Sequence, residues 1–112
     1  MKALFPGIWQ WSWFSDEQKL DFNGLYLTVG EHRMLVDPPP MDEEDVRTIK
    51  RAGGIDYIIV TNRDHEREAG RYQIDFACQV HVPQADAPLM TLAPTKTFAD
   101  GELLPGGIWA IH

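Results

Sequence analysis

An uninterrupted run of β-branched residues, Ile58 to Val60, lies in the middle of the chain. Such a run predicts a strand that is buried on both faces of a sheet. Polar residues follow it directly, beginning with Thr61, and apolar residues then return at helical spacing. In α/β proteins, polar side chains just beyond the carboxyl end of a buried strand commonly form the ligand site. We therefore expect any functional site of this chain to lie after Val60.

The segment Ile8–Phe14 alternates strictly, so that Trp9, Trp11 and Trp13 share one face. This period of two residues predicts a β-strand with an aromatic face. A face of this kind packs in a core, forms an interface or stacks against a ligand. The sequence leaves these three interpretations open.

Two further strands are predicted at Asn23–Val29 and Arg33–Val36, joined by a hairpin at Gly30–His32. The second of them ends in Asp37, which is followed by three consecutive prolines. Proline lacks a backbone donor and restricts the residue before it, so neither strand nor helix continues. Asp37 is therefore expected at the carboxyl end of a strand, like the polar residues after Val60.

The pattern predicts a helix from Met41 to Ala52, with acids in its first turn and basic residues in its last. Asp42 is expected to cap the helix, with Asp45 in the reciprocal capping position. The acidic run is thus explained by helix electrostatics and requires no metal. Because the helix connects the strand that ends at Val36 to the strand at Ile58, it predicts a βαβ unit with parallel strands.

The remaining chain shows the same alternation of short apolar runs and turn residues. A second helix is predicted at Glu66–Ala77, and a short helix with a loop at Gln84–Pro94. Strands are predicted at Gln79–Val82, Thr97–Ala99, Leu103–Leu104 and Ile108–Ile111. No repeat, linker or low-complexity tract divides the chain, so the pattern predicts one domain over residues 1–112.

Composition excludes several function classes. The net charge is −7 and the ten lysines and arginines form no basic stripe, which argues against a nucleic-acid partner or an anionic membrane surface. No apolar run is long enough to span a membrane, and no signal peptide is expected. Cys78 is the only cysteine, so we interpret it as a packed residue rather than a nucleophile and expect a cytoplasmic location.

The order of these elements, with Leu35-Val36-Asp37 ending one strand and Thr61 opening the polar cluster, resembles the amino-terminal half of the metallo-β-lactamase superfamily. That family carries the metal motif Thr-His-x-His-x-Asp-His where this chain reads Thr61-Asn62-Arg63-Asp64-His65-Glu66-Arg67. The resemblance implies an α/β fold: a partial metallo-β-lactamase-like αββα sandwich, with a mixed sheet and helices on one face. It also implies a single truncated domain over residues 1–112.

The resemblance places Asn62, Asp64 and Glu66 at the positions of the family's first histidine, second histidine and aspartate. Arg67 stands where the family has its third histidine; it has no lone pair to offer and cannot bind a metal. The remaining candidate ligands for zinc or another divalent metal are Asn62, Asp64, His65 and Glu66. We predict that no metal binds, and that Arg67 instead compensates the carboxylates of Asp64 and Glu66. Asp37 and Arg67 are thus interpreted as structural residues of the motif.

These observations predict a metallo-β-lactamase-fold, hydrolase-like protein with degenerate metal ligands that is catalytically impaired or inactive. The alternative is a non-catalytic interaction module that uses the tryptophan-rich strand face. Three other hypotheses remain: a single-ion hydrolase, metal-free acid–base chemistry by Asp64, His65 and Glu66, and a cluster that merely caps the second helix, with Glu68 completing a capping box. A half-sandwich leaves one sheet face open, so we also expect a homo-oligomer or another partner to cover it.

Overall fold

A computed structural model describes residues 1–99, 101, 103–104 and 108–109 of the 112-residue chain. Within these ranges, seven strands form one sheet and pair in chain order. They are β1 Lys2–Phe5, β2 Ile8–Ser15, β3 Leu20–Val29, β4 His32–Val36, β5 Tyr57–Ile59, β6 Gln79–Pro83 and β7 Lys96–Phe98. The first four strands are antiparallel and the last four are parallel, so the sheet is mixed as expected. A separate antiparallel pair consists of β8 Leu103–Leu104 and β9 Ile108–Trp109.

Two α-helices form the crossovers between the parallel strands. Helix α1, Glu43–Arg51, joins β4 to β5, and helix α2, Ala69–Asp75, joins β5 to β6. Short 3₁₀ turns occupy Arg63–His65 and Ala87–Leu89. The predicted βαβ unit is confirmed, because β4 and β5 pair in parallel with Met34 opposite Tyr57.

The structure departs from the sequence pattern at the helix ends. Helix α2 begins at Ala69 rather than Glu66, because Arg67 has a φ of 45°, which α-helical backbone does not allow. The capping prediction for α1 is wrong: Asp42 makes no side-chain capping hydrogen bond, and Asp45 Oδ2 lies 3.4 Å from the amino-terminal nitrogen of Met1. Strand β1 was not predicted. Residues 110–111 of the last predicted strand lie outside the described residues.

The core lies between the sheet and the two helices. Trp11, Leu35 and Ile58 from the sheet pack with Ile49 of α1 and Tyr72 of α2 in one buried cluster. Both helices therefore cover the same face of the sheet, as the resemblance implied. Met41, the residue after the three prolines, donates its backbone N–H to the Tyr72 hydroxyl at 2.7 Å. This hydrogen bond connects α2 to the segment just before α1.

The tryptophan face of β2 points toward this core. Trp11 is 7% exposed, and Trp9 stacks on Tyr26 with ring centroids 5.1 Å apart. Trp13, at the end of the row, is 40% exposed. The alternation thus identified the residues that share a face, and the structure shows that this is the face toward the helices.

The opposite face of the sheet is covered unevenly. Met34, Tyr57, Ile59 and Phe98 form a second buried cluster on the parallel half of the sheet. At the antiparallel end, the large apolar side chains of Phe5 and Phe14 remain 68% and 52% exposed.

Two further observations concern the chemistry of the chain. Cys78 packs against the core, and burial raises the pKa of its thiol to about 11, which keeps it protonated at neutral pH, as expected of a packing residue. None of the helices in the described ranges is long and apolar enough to cross a membrane.

Candidate functional site

Asp37 lies at the centre of the site, where the chain leaves the sheet after β4. Its φ of 48° is a left-handed conformation that aspartate tolerates better than most residues. Its N–H donates to Ile59 O at 3.0 Å, and the prolines that follow then direct the chain out of the sheet. The side chain of Asp37 is consequently turned toward Thr61, at the carboxyl end of the neighbouring strand.

The Asp37 carboxylate, nearly buried, accepts three hydrogen bonds. Thr61 donates its N–H to Oδ1 at 2.8 Å and its hydroxyl to Oδ2 at 2.6 Å. His65 Nδ1 lies 3.0 Å from the same Oδ2. Hydrogen bonds to the ionised carboxylate are stronger than neutral ones, so this cluster joins the two strand ends firmly.

His65 reaches Asp37 because a 3₁₀ turn follows Thr61. Asn62 caps this turn, its Oδ1 accepting the N–H of Asp64 at 2.9 Å. Since Thr61 donates its hydroxyl proton to Asp37, the short contact at Nδ1 is satisfied when the imidazole proton is on Nδ1. The second ring nitrogen, Nε2, then carries the lone pair, and the side chain is 40% exposed.

Arg67 fastens the antiparallel half of the sheet to the end of β4. Its Nη1 donates to Asn23 O and to Asp37 O, each at 2.8 Å. Its Cζ lies 4.7 Å from the ring centre of Phe22, which is a cation–π distance. Burial lowers the pKa of Arg67, and the nearby charge of Asp37 opposes that shift. The expected pairing of Arg67 with Asp64 and Glu66 is wrong, because the guanidinium contacts two backbone carbonyls and an aromatic ring, and the Glu66 carboxylate binds elsewhere.

Glu66 points away from Asp37 and binds a distant loop. Its Oε1 accepts the N–H of Thr91 at 2.9 Å, and its Oε2 accepts the N–H of Leu92 at 2.9 Å and the Thr91 hydroxyl. The carboxylate therefore orders the segment that leads from the second 3₁₀ turn toward β7.

The four candidate metal ligands diverge. Asn62 Oδ1 and the Glu66 carboxylate are occupied by the hydrogen bonds described above, while the Asp64 side chain is exposed. Of the four candidates, only the Asp64 carboxylate and the His65 Nε2 atom keep a lone pair available for a metal. Zinc takes three or four protein ligands. Within the described ranges, no group of three or more His, Cys, Asp or Glu residues is placed to hold an ion. The donor set does not fit a zinc ion.

The sequence contained a signal for part of this arrangement. Asp37 and Thr61 both end parallel strands, and such strand ends meet at one edge of a sheet. By contrast, the partners of Arg67 on β3 and the partners of Glu66 at Thr91 and Leu92 have no signature in the sequence.

Glu66→Gln is expected to loosen the loop at Thr91 and Leu92. The amide keeps one acceptor oxygen but loses the charge, so the unfolding free energy should fall by about 1 kcal/mol. Amide hydrogen exchange at Thr91 and Leu92 should quicken. Glu17→Gln, at an exposed acid in the β2–β3 turn, is the matched control and should leave that exchange unchanged; equal exchange rates in both variants would contradict the assignment.

A sequence model of the family described as "Metallo-beta-lactamase superfamily" matches residues 1–112. This α/β chain, with its site at the carboxyl edge of a mixed sheet, therefore belongs to the metallo-β-lactamase superfamily. No curated protein matches the chain.

Solved structures of metallo-β-lactamases share the fold. The DIM-1 metallo-β-lactamase is 19% identical with a TM-score of 0.75, and the match covers 95% of this chain and 54% of that one. The enzyme from Pontibacter korlensis is 17% identical with a TM-score of 0.71, covering 95% and 55%. The enzyme from Hirschia baltica is 17% identical with a TM-score of 0.68, covering 91% and 52%. At these identities the likeness establishes the fold alone, and this chain spans about half the length of each neighbour.

Proposed function

We propose that this chain is a metallo-β-lactamase-fold protein whose motif loop stabilises the fold, and in which metal-dependent hydrolysis is impaired or absent. The observation that carries the proposal is the position of Arg67, which bridges Asn23 O and Asp37 O through one guanidinium nitrogen. A residue in this position ties two strands together and offers no lone pair to a metal.

The charges around the motif support the same conclusion. The guanidinium of Arg67 remains cationic and half-buried, and like charges repel most strongly where water is scarce. A divalent ion placed beside it would have to overcome that repulsion with few ligands. The carboxylate of Glu66, which could have compensated an ion, instead accepts hydrogen bonds from the 91–92 loop.

The experiment is elemental analysis of the purified chain after exposure to zinc, manganese and iron, with Asp64→Ala as the control. We expect well under one ion per chain for both proteins, because too few donor atoms converge. About one ion per chain that is lost in Asp64→Ala would contradict the proposal. It would also justify a screen of ester, thioester, lactam and phosphodiester substrates.

A second candidate function is metal-free proton transfer by His65. The hydrogen bond between His65 Nδ1 and Asp37 favours it, because a carboxylate that orients an imidazole leaves Nε2 as a base. The sequence had grouped His65 with Asp64 and Glu66 for this chemistry. The structure pairs His65 with Asp37 instead, because Glu66 binds the 91–92 loop. Ester hydrolysis that survives a chelator and is lost in His65→Gln, but not in the exposed control His32→Gln, would support it.

A non-catalytic interaction role is the alternative within the same family. The sequence assigned this role to the tryptophan face, but Trp9 and Trp11 pack toward the core. The exposed side chains of Phe5 and Phe14 instead support a partner, or a second copy of the chain, at the antiparallel end of the sheet. Light scattering of the purified chain tests the second copy. The single cysteine supports a reducing compartment, and we keep the cytoplasm as the proposed location.

A further inference from the structure

A cavity of about 650 Å³ lies between the middle of β2 and the start of α1. Its lining includes Trp11, Trp13, Met41, Asp42, Asp45 and Lys2. None of the motif residues from Thr61 to Arg67 contributes to it, so it is separate from the site described above.

Acidic groups face this cavity, and one of them already holds an ammonium group. Asp45 Oδ2 lies 3.4 Å from the amino-terminal nitrogen of Met1. Asp42, which the sequence predicted as a capping residue, makes no side-chain hydrogen bond or ion pair within the described part of the chain. Asp45 therefore already pairs with a positively charged ammonium group, and the carboxylate of Asp42 is available for a ligand.

The aromatic wall is rigid and partly exposed. Trp11 donates its Nε1–H to Pro40 O at 3.1 Å, which fixes its ring against the segment before α1. Trp13 packs on Phe22 with ring centroids 6.3 Å apart and keeps 40% of its surface exposed. The face of an indole ring attracts cations more strongly than other aromatic rings do. A cavity that is lined by both a carboxylate and a partly exposed indole is suited to an organic cation.

We propose that this cavity binds a small alkylammonium compound, with its charged head beside Asp42 and against the indole of Trp13. Lys2 is the competing cation at the cavity, and its side chain is exposed and able to turn toward solvent. The expected ligand is thus a positively charged nitrogen that carries alkyl groups. The carboxylate recognises its charge, and the indole recognises both the charge and the alkyl groups.

The test uses choline and its uncharged isostere 3,3-dimethylbutan-1-ol, titrated across the millimolar range at constant ionic strength. The readout is the NMR shift of the Trp11 indole N–H, because Trp11 also lines the cavity and is present in every variant. We expect saturable binding of choline and none of the isostere. Asp42→Asn and Trp13→Leu should each weaken choline binding by about threefold to tenfold. Lys2→Gln should strengthen it, because a competing positive charge is removed.

Glu31→Gln, at an exposed acid in the β3–β4 turn that does not line the cavity, is the control and should leave choline binding unchanged. Equal binding of choline and the isostere would overturn the proposal, because the cavity would then select only apolar shape. Absence of saturation would also overturn it, as would weaker choline binding in Lys2→Gln, because Lys2 would then support the bound cation instead of competing with it. Because Asp42→Asn keeps a good amino-terminal helix residue, it tests the proposal even where Trp13→Leu fails to fold.

Discussion

Arg67→Met is expected to lower the unfolding free energy by about 2–4 kcal/mol, the largest effect of any single substitution in the motif. The variant loses the two 2.8 Å hydrogen bonds to Asn23 O and Asp37 O and the contact with the Phe22 ring. Methionine keeps a long apolar side chain, so the loss reports on the guanidinium rather than on packing volume. Urea unfolding followed by tryptophan fluorescence measures the change.

Arg63→Met is the matched control, because Arg63 belongs to the same motif but its side chain is exposed. Its unfolding free energy should stay within about 0.5 kcal/mol of the unmodified chain. Similar values for the two variants would show that Arg67 has no special structural role. An Arg67→His variant that gained tight zinc binding without any loss of stability would argue against the account as well.

Asp37→Ala is expected to lower the unfolding free energy by about 3 kcal/mol. Alanine removes the acceptor of three hydrogen bonds from Thr61 and His65 and leaves partly buried donors without this partner. It also has to adopt the φ of 48°, which aspartate and asparagine tolerate better than alanine does. Thermal and urea unfolding of the variant both report this loss.

Asp37→Asn separates the two contributions. Asparagine tolerates the left-handed backbone and keeps one carbonyl acceptor, so its loss should be about half that of alanine. Thr61→Val removes only the hydroxyl donor and should cost about 1 kcal/mol. If Asp37→Ala and Asp37→Asn were both as stable as the unmodified chain, the Asp37 cluster would not be the structural centre that we describe.

The sequence pattern predicted those features that depend on local periodicity. The alternation of Ile8–Phe14 became β2, and the apolar run at Ile58 became a fully buried strand, because burial on both faces imposes this composition. The ends of the strands at Val36 and Val60 placed Asp37 and Thr61 at one edge of the sheet. These predictions succeeded because each follows from neighbours close in sequence.

Other features depend on contacts between distant segments and were missed. Glu66 finds its donors 25 and 26 residues further along the chain, in a loop whose sequence shows no pattern. Arg67 turns toward β3 because its backbone is left-handed, and no rule predicts that conformation for an arginine. The prediction that Asp42 caps α1 was wrong. Asp42 lines a cavity and makes no side-chain hydrogen bond to the first turn of the helix.

These contacts support the proposal that the motif segment of this chain stabilises the fold. Asn62 caps a turn, His65 binds the Asp37 carboxylate, and Arg67 bridges two strands. Each polar group thus contributes to folding in a place where the family motif supplies metal ligands. The matched structures are about twice as long as this chain.

The most direct test is the unfolding free energy of the unmodified chain in a chelator and in a series of zinc concentrations. A ligand that binds only the folded state adds about 1.4 kcal/mol for each tenfold rise in concentration above its Kd. We predict the same unfolding free energy in chelator and at every zinc concentration, because Arg67 and the Asp37 cluster already stabilise the motif. A free energy that rises steadily with zinc would show that the folded motif binds the metal and would contradict the account.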